Sequence, residues 1–383
     1  MIRITDKAKC CGCAACAQAC PKHCIAMVED DEGFLYPQVD SAVCVDCGLC
    51  DKVCPMLAEA LARRAPLGCY ATVNADEQVR LQSSSGGLFA ALAGRILEQG
   101  GAVFAAEYDN CGEVFHTQAD DLAEVRKMMG SKYVQSRMGG TYVSVKKALD
   151  LGRVALFVGT PCQVAGLRSF LRGKEYSRLL TVDLACHGVP SPGVWRRYLS
   201  ETLGNVKDDL YVNFRDKSTG WKHYSLTIKS GQEQISMPAS ESAFMKAFLS
   251  DAILRPSCQS CDFKNGGCQS DLTIGDFWGI GRCHHDWDDD KGMGITLVNT
   301  DKGREAIACL SGVSFREVTY QQAIACNGGF VRDTPPHPKR KEFFCALRQN
   351  KTVAQAASAY LRKPLARRVI AVIKIILRRI LKH

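Results

Sequence analysis

From residue 87 onward the apolar positions fall into an alternation of two periods. Residues 87–99 (GLFAALAGRILEQ) carry apolar side chains at helical spacing and stop at Gly100-Gly101, and the following AVFAAEYD reads as a strand. Asp120 or Asp121 is suited to cap a helix that runs to Met129 and ends at Gly130. A helix over about Thr141 to Leu151 leads into a buried strand, Val154 to Val158, and the pattern repeats as a helix from Pro161 to Leu171, a strand from Leu179 to Ala185 and a helix from Pro192 to Leu203. Strands alternating with helices of this length imply a largely parallel or mixed sheet covered by helices. Residues 210–237 switch to short runs of alternating polarity, which predicts an antiparallel meander. A Cys- and Gly-rich loop, Pro256 to Ser270, precedes strands Asp271 to Asp276 and Gly294 to Asn299, and a helix from Lys302 to Leu310 is expected to close the domain. From Lys339 the pattern is helical, with a break at Pro364.

The fold class this predicts is α+β. A cysteine-rich N-terminal domain (residues 1–60) is followed by an α/β domain with a mixed sheet (67–330) and a helical tail (339–383).

The N-terminal domain is defined by chemistry more than by periodicity. Cys10, Cys13, Cys16 and Cys20, followed by Pro21, read C-x2-C-x2-C-x3-C-P, and Cys44, Cys47, Cys50 and Cys54, followed by Pro55, repeat it. This is the run of bacterial two-cluster ferredoxins, in which three closely spaced thiolates wrap one iron-sulfur cube and the fourth reaches the other cube. The expected sets are Cys10, Cys13, Cys16 and Cys54 for one 4Fe-4S cluster, and Cys44, Cys47, Cys50 and Cys20 for the second. Zinc ribbons and disulfide frameworks show isolated pairs rather than triple runs ending in Cys-Pro. Cys11 and Cys24 fall outside the pattern and read as bystanders.

The chain has 383 residues and a formal net charge of +9. From Lys351 to the C-terminus there are nine Lys or Arg and no acid, so residues 1–350 sum to zero. A neutral body argues against a nucleic-acid partner, which would require a basic face. Residues 366–382 (ARRVIAVIKIILRRILK) place Arg367, Arg368, Lys374, Arg378, Arg379 and Lys382 along one stripe of a helix. Such a helix suits an anionic membrane interface, and equally a docking site on the body or on a partner protein. No window reaches a spanning length, the N-terminus has no apolar h-region, and twenty-one cysteines argue for a reducing cytoplasm, with peripheral contact at the inner membrane face through the tail.

Four cysteines in the body form a second constellation. Thr160-Pro161-Cys162 follows a buried strand, with Thr160 at N-cap and Pro161 at N1, so Cys162 falls in a first helical turn, where the dipole lowers a thiol pKa. Cys186 lies just past the strand LLTVDLA, at the sheet end where α/β proteins place sites. Cys258 and Cys261 are a C-x2-C pair on a loop. Each alone reads as a small buried hydrophobe; the four together suggest a third cluster, with Cys268 as a rival for one place. Cys69, Cys111, Cys283, Cys309, Cys326 and Cys345 lack ligand spacing and are assigned to the core.

Ser83-Ser84-Ser85-Gly86-Gly87 runs straight into a helix, an arrangement able to cradle a pyrophosphate, although a Ser/Gly run is more often a plain loop. Gly130-Ser131-Lys132-Tyr133 offers a second phosphate-capable turn, or an ordinary helix C-cap. The Gly275-Asp276-Phe277-Trp278-Gly279 turn could orient a ring or simply pack. His187 beside Cys186 could donate a proton or be a satisfied hydrogen-bonder. No residue stands out as a catalytic acid.

The order SSSGGLF, GSKYVQS, FVGTPCQVAGL, DLACHGVPSP, C-x2-C-x-FK and DLTIGDFWG behind a two-cluster ferredoxin run resembles the coenzyme F420 hydrogenase/dehydrogenase beta-subunit family over about residues 1–300. The resemblance implies an iron-sulfur flavoprotein that binds FAD beside a cluster. It implies Cys162, Cys186, Cys258 and Cys261 as ligands of the body cluster, and Ser85, Gly86, Gly87, Ser131 and Lys132 as part of the FAD site. The implied activity is an oxidoreductase passing electrons between one-electron clusters and a two-electron carrier or small molecule. The donor would be ferredoxin, NAD(P)H or reduced F420, and some bacterial relatives are found with surface-polysaccharide biosynthesis. The alternative is a non-enzymatic subunit relaying electrons to a partner enzyme.

Overall fold

The computed structural model describes residues 1–58, 63–204, 206–207 and 209–361. The basic helix expected over 366–382 and the break at Pro364 lie outside the described residues. No helix among the described residues is long and apolar enough to cross a membrane.

Thirteen strands form three sheets among the described residues. A hairpin of β1 (Ile25–Glu29) and β2 (Leu35–Val39) sits between the two cysteine runs. The body sheet contains β3 (Gly68–Asn74), β4 (Ala102–Tyr108), β5 (Val114–Ala119), β6 (Ala155–Gly159) and β7 (Leu179–Leu184). After the meander strands β8 (Tyr211–Asp216), β9 (Ser225–Ser230) and β10 (Glu233–Pro238), it is completed by β11 (Leu272–Asp276), β12 (Gly294–Val298) and β13 (Val313–Glu317). The body sheet has eight strands in the order β13-β3-β12-β11-β7-β6-β4-β5. Its middle, β11-β7-β6-β4, is parallel, and both flanks are antiparallel, so the sheet is mixed. The meander is antiparallel, with β9 between β8 and β10.

The parallel centre is buried from both faces, which is why β6 (ALFVG) is apolar throughout, and every residue of it is buried. Helices Leu88–Glu98, Leu122–Met128 and Asp301–Ala308 cover one face around Leu92, Ile96, Leu156 and Val182. Helices Thr141–Asp150 and Pro161–Phe170 cover the other, around Phe104, Phe157 and Tyr142. The helix ends follow their capping signals: Asp121 accepts from Glu124 N-H, and Thr160 with Gln163 forms a capping box. Strand β13 returns after the helix expected to close the domain and pairs with β3.

The cysteine-rich segment does not hang free. Cys13, Ala14, Ala15 and Val53 belong to the same buried cluster as Phe104, Phe157 and Val164. The short helix Ala15–Ala19 packs on helix Pro161–Phe170, and Gly166 makes the approach possible, because a Cβ there would lie 2.7 Å from Tyr142 Oη and 2.8 Å from Cys13 Cβ. The β1-β2 hairpin is fastened by ion pairs of Glu29 with Arg137 and Arg196, of Asp31 with Arg348 and of Glu32 with Arg340. Helices Arg340–Arg348 and Val353–Tyr360 share a second core with Trp195, Phe214 and Phe244 under the meander.

Alanine at Gly166 is expected to wedge the cysteine loop off the body and cost about 1–3 kcal/mol through overpacking. Alanine at Gly94, mid-helix with open space around it, should instead stabilise by about 0.5–1 kcal/mol. Denaturant midpoints of the anaerobically purified variants check both signs.

Candidate functional site

The C-terminal ends of β6 and β7 lie side by side in the parallel centre of the sheet, the end at which open α/β sheets place ligands. A cavity of about 500 Å³ opens there. Its walls join segments far apart in sequence: Ser83 to Phe89, Met128 to Val134, Val158 to Thr160, Leu184 to Pro190, Gly275 and Asp276, and Gly294 to Thr296. All five residues singled out for a pyrophosphate site, Ser85, Gly86, Gly87, Ser131 and Lys132, line it.

The two candidate phosphate turns are tied together. The Ser131 N-H and hydroxyl both donate to Ser84 Oγ, at 2.6 and 2.8 Å, and the Ser85 hydroxyl donates to Met293 C=O at 2.7 Å. Gly86 lies so tightly on the sheet that a Cβ would come within 2.0 Å of Thr72 O, so only glycine lets this backbone seat below the cavity. The run therefore forms a fixed, small-residue cradle at the head of helix Leu88–Glu98, suited to an anion. Lys132 has a different first task. Its ammonium donates to the carbonyls of Lys127, Met128 and Met129 at 3.0, 2.7 and 2.8 Å, closing the preceding helix, and burial brings its pKa down to about 7.

The far wall is aromatic. Arg215, fully buried, pairs with Asp276 at 2.7 Å and lies over the rings of Tyr224 and Trp278, 4.0 and 4.8 Å from their centroids. Trp278 in turn stacks on Trp221 with centroids 4.7 Å apart. Asp276 also accepts from the Trp221 indole N-H, so the Gly275–Gly279 turn both packs and faces the cavity. Arg215 and Tyr224 lie on alternating, unremarkable stretches of the meander, which carry no signal in the sequence. His187 also lines the cavity and is hydrogen-bonded to Asp251 at 2.6 Å.

The body cysteines are brought together at the edge of this cavity. Cys186 lines it, as does Thr160, whose hydroxyl lies 3.2 Å from Cys162 Sγ. Cys258 Sγ accepts from Val189 N-H, beside Cys186, at 3.4 Å. Burial raises Cys258 to about 12 and Cys261 to about 11, and it lifts Cys186 well above the thiol range. The three share electrostatic contact with one another and with Cys162. Cys162 is also raised, first by a hydrogen bond with Cys11 and then by burial. The expected lowering by the helix dipole is overridden: a dipole contributes about 0.3–1 kcal/mol, and burial moves thiols by whole pKa units. Cys268, the rival, lies next to Thr273 and Asp183 and shares a small hollow with Cys186.

In the N-terminal domain, burial and then Cys10 and Cys54 raise Cys16 to about 12, so the fourth cysteine of the second run sits with the first set. Cys20 lines one small cavity with Cys44, Cys47 and Cys50. The two bystanders are not remote: Cys24 Sγ is 3.4 Å from Cys20 Sγ, and the buried Cys11 thiol touches Cys13 on one side and Cys162 on the other. Of the six cysteines assigned to the core, Cys69 is buried. Cys111 is exposed on a turn, Cys309 at a helix end and Cys345 on the outer face of helix Arg340–Arg348, Cys283 is half-buried, and Cys326 lines the large cavity. Cys20, Cys44, Cys47 and Cys50, grouped around one small hollow, fit a multi-iron cube better than a mononuclear zinc.

Asp183 is one polar letter in an apolar strand and carries no signal in the sequence. It is fully buried, neither carboxylate oxygen has a hydrogen-bond partner among the described residues, and it lines a second small hollow with Cys186 and Cys268. Burial pushes its carboxyl up to about 7, which the nearby Ser270 and Thr273 hydroxyls offset only in part.

Residues 152–314 match the family model for the C terminus of the coenzyme F420 hydrogenase/dehydrogenase beta subunit, and residues 9–58 match the 4Fe-4S dicluster domain. No curated protein matches. Among solved structures, a chain of the F420-reducing [NiFe] hydrogenase complex from Methanosarcina barkeri is similar at 15% identity and a TM-score of 0.43, covering 79% of this chain and 93% of that one. The chain therefore carries a 4Fe-4S dicluster domain over 9–58 and a segment similar to the C terminus of the coenzyme F420 hydrogenase/dehydrogenase beta subunit over 152–314, which marks an iron-sulfur electron-transfer protein.

One pH dependence follows from Asp183. Its folded pKa, about 7, lies above the ordinary carboxyl value of about 4, so between these limits the native state holds a proton the unfolded chain has lost. That contribution is fully present below about pH 4 and is lost as pH rises toward 7, at up to about 1.4 kcal/mol per pH unit. Asp183→Asn should flatten the fall in urea midpoint between about pH 4.5 and 7; an unchanged slope would show that the carboxyl is ionised in the fold.

Proposed function

We propose that this protein is a member of the coenzyme F420 hydrogenase/dehydrogenase beta-subunit family and an iron-sulfur flavoprotein oxidoreductase, with three 4Fe-4S clusters leading to an FAD in the large cavity. Cys10, Cys13, Cys16 and Cys54 would hold the first cluster, Cys44, Cys47, Cys50 and Cys20 the second, and Cys162, Cys186, Cys258 and Cys261 the third. Ser85, Gly86, Gly87 and Ser131 would receive the pyrophosphate. Lys132 stands behind them, its charge directed at the carbonyls of the preceding helix. The observation that carries this reading is the shared wall: Cys186 and the Thr160 that touches Cys162 line the same cavity as the Ser/Gly cradle.

Bound FAD supplies the exchange between electron pairs and single electrons, which clusters alone cannot perform. The chain's own part is positional. The cradle fixes one end of the ligand, and the Arg215-Tyr224-Trp278 stack offers a flat wall for a ring at the other. A cavity of about 500 Å³ suits one bound cofactor with an open side for a second reactant. Exposed Cys47 leaves the second set near the surface, where a one-electron donor can approach. The resemblance noted in the sequence suggests surface-polysaccharide assembly as the setting, while the cysteine usage suggests the cytoplasm and the basic tail suggests either a membrane face or a docking site on a protein.

Protein purified without oxygen should contain about twelve irons and release about one FAD per chain. Cys258→Ser with Cys261→Ser should leave about eight irons and keep the N-terminal clusters. Clusters without flavin would identify an electron relay instead. A donor screen with reduced ferredoxin, NAD(P)H and reduced F420, read as flavin bleaching, then assigns the electron source.

A further inference from the structure

Two arginines among the described residues are fully buried, Arg215 and Arg255. Arg215 has Asp276 as its counter-ion. Arg255 has no carboxylate within ion-pair distance among the described residues, although burying an unpaired cation costs several kcal/mol. Its guanidinium donates only to neutral oxygens and to one sulfur: from Nε to Cys10 C=O at 2.7 Å, from Nη1 to Gln135 Oε1 at 2.9 Å, from Nη2 to Leu35 C=O at 2.9 Å, and from Nη2 toward Cys10 Sγ at 3.5 Å. Its flat face lies 4.3 Å from the Tyr36 ring centroid.

The missing negative charge is a matter of location. Arg255 touches the first cysteine of the N-terminal set and stands three residues before Cys258 of the body set. Cys162, raised by Cys11 and by burial, and Cys258, raised by burial, both feel Arg255 as a cation acting in the opposite sense. The cation thus sits between the two thiol groups that meet through Cys11. A four-thiolate 4Fe-4S cluster is an anion and gains one more negative charge on reduction, so a fixed buried cation favours its reduced form.

We propose that Arg255 is the counter-cation shared by the first N-terminal cluster and the body cluster, and that it raises their electron affinity at the junction between ferredoxin domain and body. This rests on the cluster assignment above. The arginine acts through the clusters' charge, which makes it a positioning and tuning residue with no part in bond making.

The test is potentiometric titration of the anaerobically purified full chain, read by electron paramagnetic resonance of the reduced clusters, with iron content alongside. Arg255→Gln is expected to lower the electron affinity of the cluster whose signal Cys13→Ser alters by tenfold or more, a downward shift of 59 mV per tenfold for a one-electron couple. Arg255→Lys, which keeps the charge but not the fork, should stay within threefold of the parent. Gln135→Glu, which sets a carboxylate against Nη1 without removing the arginine, should shift in the same direction as Arg255→Gln and serves if that variant does not fold. Unshifted potentials in Arg255→Gln and Gln135→Glu at full iron content would overturn the proposal, as would equal shifts in the Lys and Gln variants, the mark of a structural strut. A parent protein with about eight irons would overturn the cluster assignment itself, a distinguishable failure.

Discussion

Everything in this molecule depends on one close contact, where the loop of the first cysteine run presses on the opening turns of helix Pro161–Phe170. Gly166 admits Cys13 there, and Cys11 fills the space between Cys13 and Cys162. Electron transfer falls steeply with distance, so two thiol groups on separate segments serve one route only if the backbones meet. The contact is apolar on its rim, with Ala14, Ala15 and Val53 joined to Phe157 and Val164, and that shared burial is what holds a ferredoxin-type segment to the body.

The same burial sets the electrostatics. Thiols grouped out of water resist ionising, which is why Cys16, Cys258 and Cys261 rise to about 12, 12 and 11, and why the helix dipole at Cys162 does not prevail. A cationic iron core would supply the charge that these sites lack, since a coordinating thiol is deprotonated outright. On the proposed cluster assignment, binding metal and completing the fold would be one process. The ion pairs of Glu29, Asp31 and Glu32 on the hairpin are partly exposed and add orientation more than stability.

The cavity shows how a mixed sheet builds a site from scattered parts. Parallel β6 and β7 deliver Thr160 and Cys186 to one edge, antiparallel β11 and β12 bring Asp276 and Gly294, and the meander adds Arg215 and Tyr224 from above. Lys132 and Lys217 both turn their ammonium groups into backbone carbonyls, and burial brings each to about 7. The amines therefore brace the loops around the cradle.

The sequence alone determined what local rules govern: the doubled cysteine run, the α/β alternation from residue 87 to 203, the capping of helices by Asp121 and Thr160, and the meander. These follow from ligand spacing and from side-chain period, which neighbours in the chain fix. It did not reveal β3, β5 or β13, because GCYATVN, VFHTQA and VSFRE are short, mixed in polarity and stabilised by pairing with distant strands. Nor did it reveal the contacts of Cys11 and Cys24, the orphaned carboxylate of Asp183 or the unpaired Arg255. Burial, and the partner that each group lacks or finds, are properties of segments brought together from far apart, so only the tertiary structure decided them.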